Sequence, residues 1–217
     1  TITAAGTFSG NMGIVAGQCS TVLTDVDATN CTVTAAVKDA NVGMLCGKTT
    51  NMVTGGNTSG DLNITLSGGT GYVGGAIGVA ENLVMNQEAR AVLNITGSGT
   101  KGAAGGVVGC MNNVAKAVNY GGKLNISTDS TFAAGALVGE LTKGGLTDSY
   151  NCARTTQITG AVKASEYVGI QASGVAVSNC LTRDLTNLDE KLPAAEQALR
   201  QKVVDYMYEI CTVRWIP

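Results

Sequence analysis

The sequence predicts an all-β fold: a β-solenoid (β-helix) of about six coils of ~31 residues, followed by a C-terminal α-helix. Three observations predict it. Short apolar blocks recur with one common period along residues 1–182. That stretch holds all 30 glycines and no proline. Residues 183–217 reverse the pattern, with no glycine, both prolines and the single Trp, so a boundary falls near residue 183.

The first block is glycine-framed. It reads Gly13-Ile-Val-Ala-Gly17, Gly43-Met-Leu-Cys-Gly47, Gly74-Gly-Ala-Ile-Gly78, Gly105-Gly-Val-Val-Gly109 and Gly135-Ala-Leu-Val-Gly139. A degenerate sixth copy is read as starting at Gly169, so the first glycines lie 30, 31, 31, 30 and 34 residues apart. The second block centres on Ile2, Val33, Ile64, Ile95, Ile126 and Ile158, with spacings of 31, 31, 31, 31 and 32. Three of its copies are nearly identical: Leu62-Asn63-Ile64-Thr65, Leu93-Asn94-Ile95-Thr96 and Leu124-Asn125-Ile126-Ser127. A weaker third strand carries Val22, Val53, Leu83, Val114, Leu146 and Val177.

Each run alternates apolar and polar residues and is rich in β-branched side chains, which reads as a strand. Gly, Asn, Thr and Ser between the runs read as turns. One such unit cannot bury its apolar face alone, so copies must stack, each strand pairing with its equivalents above and below. The repeat contains no helix-length periodic segment and no Leu-x-x-Leu-x-Leu pattern, against ankyrin-type and leucine-rich arrays. A propeller blade needs about 40 residues and aromatic signatures. The glycine columns predict either positive φ or close backbone approach. The lack of proline fits strands paired on both edges.

Composition agrees. The hydrophobic fraction is 44% but aromatics are only 4%, which suits a narrow core of Val, Ile, Leu and Ala. A net charge of −2 without a basic block offers nothing to a phosphate backbone, so no nucleic-acid partner is expected. No apolar run reaches the roughly 18 residues of a membrane span. The chain opens on Thr rather than Met, which predicts a processed or cut N-terminus. The seven cysteines are Cys19, Cys31, Cys46, Cys110, Cys152, Cys180 and Cys211. Their settings predict small buried hydrophobes, with one or two disulfides between coils as the alternative.

The Gly-Gly-Val-Val-Gly and Gly-Ala-Leu-Val-Gly blocks, each followed by an Asn/Thr-rich strand, resemble GLUG-type repeats of secreted and surface bacterial proteins. The resemblance covers about residues 1–182. It implies a right-handed solenoid, a structural and adhesive role, and no catalytic residues.

In the C-terminal segment, Pro193 suits a first helical turn. Leu192, Leu199, Val203, Tyr206 and Ile210 then form one stripe, which predicts a helix over 193–211. Such a helix would cap the last coil or lead into a further domain. The closing run resembles the lead-in to cell-wall peptidase and amidase modules.

Candidate chemical motifs are weak. Gly69-Thr-Gly71-Tyr-Val-Gly74 matches a dinucleotide fingerprint formally, but no helix is expected after it. Gly43-Met-Leu-Cys-Gly47-Lys48-Thr49 is one residue short of a phosphate loop. Ser98 and Lys101 have an acyl-enzyme spacing without its other elements. The chain has no histidine, which excludes Ser-His-Asp and Cys-His systems and most zinc sites. Asp25, Asp27, Asp61, Glu81, Glu88, Glu140, Asp148 and Glu166 are scattered rather than paired for glycoside hydrolysis. Asn63, Asn94 and Asn125 have glycosylation sequons, but their spacing predicts a stacked amide ladder. Thr65, Thr96 and Ser127 are too irregular for an ice-binding array.

The expected function is a non-catalytic stalk, spacer or adhesin of a secreted or cell-surface bacterial protein. No catalytic, cofactor-binding or metal-ligating residue is expected, and hence no cofactor. Expected partners are a host or bacterial surface glycan or protein, or further copies of the chain. The alternatives are a targeting module of a polysaccharide- or cell-wall-degrading enzyme and a self-assembling filament subunit.

Overall fold

The computed structural model describes residues 1–128, 132–153, 155–159 and 163–182. The helix expected over 193–211 lies outside them. The described coils belong to one compact unit, Thr1–Asp184, and contain no helix.

The solenoid has three sheets. In the third coil a long strand, Asn57–Gly74, turns into Ile77–Ala80 and then Val84–Met85. The fourth coil repeats this as Glu88–Gly105, Val108–Met111 and Val114–Lys116. The long strands stack into a broad sheet, and the two short ones into six-stranded sheets. Pairing between neighbouring coils is parallel. Coils three and four match residue for residue from Glu88↔Asn57 to Gly105↔Gly74 without a register shift.

The isoleucine column forms as expected from the third coil onward: Ile64↔Ile95, Ile95↔Ile126 and Ile126↔Ile158. It differs one coil earlier. Val33 pairs with Leu62, and Ala35 sits opposite Ile64. Two irregularities cause this slip of two residues. One lies between Ala28 and Cys31, the other between Val37 and Ala40. Because side chains alternate with period two, an even slip keeps every apolar residue inside. Val33, Ala35, Val37, Leu62, Ile64 and Leu66 are all buried. An odd slip would have turned the whole set outward.

Two other alignments are corrected. Gly135 pairs with Ser165, not Gly169, and Val138 pairs with Val168. The sixth block therefore starts at Ser165, and Gly169 aligns with the second glycine of the earlier blocks. This removes the anomalous spacing of 34. The third-strand column is Leu23, Val53, Val84, Ala115, Leu146 and Val177. Val22, Leu83 and Val114 sit one residue earlier, Val22 and Leu83 in the turn and Val114 at the first position of its strand. The reason is local: Asn82 and Asn113 accept the backbone N–H of Leu83 and Val114, each at 2.8 Å, and so fix the turn that sets the register of the strand after it.

The framing glycines serve close approach. A Cβ on Gly74 would lie 1.9 Å from the Ile77 carbonyl oxygen, and one on Gly78 2.4 Å from that of Gly47. Neither has positive φ.

Positive φ occurs elsewhere, and six of those positions stack. They form a column after the third strand: Asp25, Gly55, Asn86, Ala117, Asp148 and Asn179, with φ between 50° and 68°. Each of the first five N–H groups in that column donates to a carbonyl of the next coil, for example Ala117 to Thr147 at 3.0 Å. Tyr120 fills the interior where its neighbour Ala89 is small, and its hydroxyl donates to the Ala91 carbonyl at 2.9 Å.

Candidate functional site

The long strands present their polar residues outward in columns. Asn94 Nδ2 donates to Asn63 Oδ1, and Asn125 Nδ2 to Asn94 Oδ1, each at 2.8 Å. The amide ladder is therefore formed. It continues toward the first coils through Asn63 Nδ2 donating to Thr34 Oγ1 at 3.4 Å. A second ladder links Asn41 Nδ2 to Asn11 Oδ1 at 2.8 Å. Thr65, Thr96 and Ser127 form the next outward column, all exposed.

A cluster that the sequence did not disclose joins three coils. Tyr72 lies near the end of the third long strand, and its hydroxyl donates to Glu140 Oε2 at 2.9 Å, 68 residues along the chain. Its column continues with Ala103 and Ala133. Two small residues in succession leave room for a ring reaching along the solenoid axis. Cys110 lies between, paired with Glu140 in register. Only the alanines at Tyr72's repeat positions could have hinted at this contact.

The chemistry of this cluster is that of an anchor. Burial first, and then the hydrogen bond to the Glu140 carboxylate, push the Tyr72 phenol well above its ordinary value. Burial, with the Glu140 charge adding to it, pushes the Cys110 thiol up to about 12. A thiol held protonated this strongly is a poor nucleophile at neutral pH.

Four further carboxylates are engaged separately. Glu81 pairs with Lys48 at 2.6 Å, and Asp148 with Lys116 at 3.9 Å. Glu88 accepts from Arg90 Nε at 2.6 Å. Asp27 accepts from the backbone N–H and side-chain amide of Asn57 at 2.7 and 3.0 Å. The formal motifs fall inside the repeat. Gly69–Gly74 belongs to the strand Asn57–Gly74, and the next element is the strand Ile77–Ala80. Lys48 of the phosphate-loop lookalike sits in the strand Cys46–Thr49. Ser98 and Lys101 lie exposed on Glu88–Gly105.

Cys19, Cys31, Cys46, Cys110 and Cys180 carry free thiols. The disulfide alternative fails for these five, and in the stacked strands Cys19, Cys31, Cys46 and Cys110 each face another residue type. Cys46, for example, has Ala16 on one side and Ile77 on the other. Among the described residues no group of three or more Cys, Asp or Glu is placed to hold a metal ion. No described helix is long and apolar enough to cross a membrane.

Comparison of the chain with protein-family models, curated proteins and solved structures found no match in any of the three. The stacked-coil fold implied by the GLUG-type resemblance is present, and the resemblance itself rests on the glycine-framed motifs alone.

Proposed function

We propose that this chain is a structural and adhesive module, a stalk, spacer or adhesin, of a secreted or cell-surface bacterial protein. The supporting observation is the in-register stacking of coils beneath continuous outward ladders of amides and hydroxyls. Parallel coils about 4.8 Å apart make a stiff element with a long lateral face. That geometry suits holding a partner domain away from a surface, or laying a flat polar face against an extended ligand. The Asn63–Asn94–Asn125 ladder uses only part of each amide's capacity, since an amide offers two donors and two acceptor lone pairs.

The test is binding of the 217-residue chain to arrayed surface glycans and to whole cells, with the supernatant assayed for sugar release. Saturable binding that leaves the ligand intact is the expected result. Release of reducing ends or unsaturated sugars would overturn the non-catalytic reading.

A further inference from the structure

We draw no further inference here: the strongest candidate, the open edge of the first coil along Ile2–Met12 with Val15 and Val22 exposed beside it, is an unpartnered apolar sheet edge, and nothing in the structure shows what covers it.

Discussion

At the scale of single residues, the left-handed column sorts tolerated from strained positions. Asp, Asn and Gly occupy five of its six places, and these residue types accept that conformation. Ala117 is the exception, at φ 51°. A non-glycine residue without a local polar contact is disfavoured there by about 1–2 kcal/mol. Ala117→Gly returns part of that to greater freedom of the unfolded chain. A net gain of about 0.5–1 kcal/mol is expected, raising the thermal midpoint by about 1–4 °C. Ala117→Val should lower it, because branching at Cβ worsens the same clash. A midpoint unchanged in both variants would contradict the strain. This column was legible in principle, since Asp25, Asn86, Asp148 and Asn179 share the repeat spacing. Its residue types change from coil to coil, so no single motif marks it. Cys46 gives a second test. Burial raises its thiol from 9.0 to about 12. The unfolded chain releases that proton at lower pH than the folded one. The stabilisation is therefore complete below about pH 9 and declines as pH rises toward 12. The advantage of the wild type over Cys46→Ala should narrow between pH 7 and pH 10.5, read from urea midpoints at both. A constant difference would show that the thiol is not held protonated.

At the scale of elements, columns decide more than individual strands do. Asn94 donates one amide hydrogen bond and accepts another. Asn94→Ala removes both, and a loss of about 1–3 kcal/mol is expected. Asn94→Asp should cost more, since a carboxylate cannot donate to Asn63 and places two acceptors face to face. Denaturant midpoints check the order, and equal losses in the two variants would mean that the ladder's direction carries no energy. This ladder was readable from sequence because three near-identical tetrapeptides repeat at one spacing. The short third strand was not. Its inward residue is flanked by apolar neighbours such as Leu83 and Val114, so hydrophobicity alone could not choose between adjacent positions. The asparagine turn made that choice, through a side-chain bond that a pattern of apolar residues does not encode. The Tyr72–Glu140 contact lay further from view, because it joins coils that are not neighbours.

At the scale of the whole unit, stacking makes stability a sum of coil terms and nearest-neighbour interfaces. Such a chain should accept an added coil wherever the new interfaces repeat existing ones. Duplicating residues 57–87 in tandem, with Tyr72→Ala in the first copy so that each tyrosine ring still faces an alanine, meets that condition. The copy continues the Asn63 ladder and the Ile64 column, and it faces the fourth coil in the register already observed. Deleting the same residues does not meet it. Gly60 sits against the Cys31 bulge, where a Cβ would lie 1.8 Å from the Cys31 carbonyl oxygen. Deletion brings Ala91, the residue paired with Gly60, into that place. The coils are thus similar without being interchangeable, and the second coil's bulge demands glycine above it. The duplicated chain is expected to unfold in one transition at a midpoint no lower than the wild type. The deleted chain should be markedly destabilised, and Ala91→Gly within the deletion should recover most of the loss. Thermal unfolding of the three variants followed by circular dichroism separates the possibilities. A deletion as stable as the wild type would show that the bulge relaxes when its neighbour changes. A deletion that Ala91→Gly leaves unimproved would place the incompatibility elsewhere in the second coil, at the Asp39 carboxylate against which Gly69 now packs.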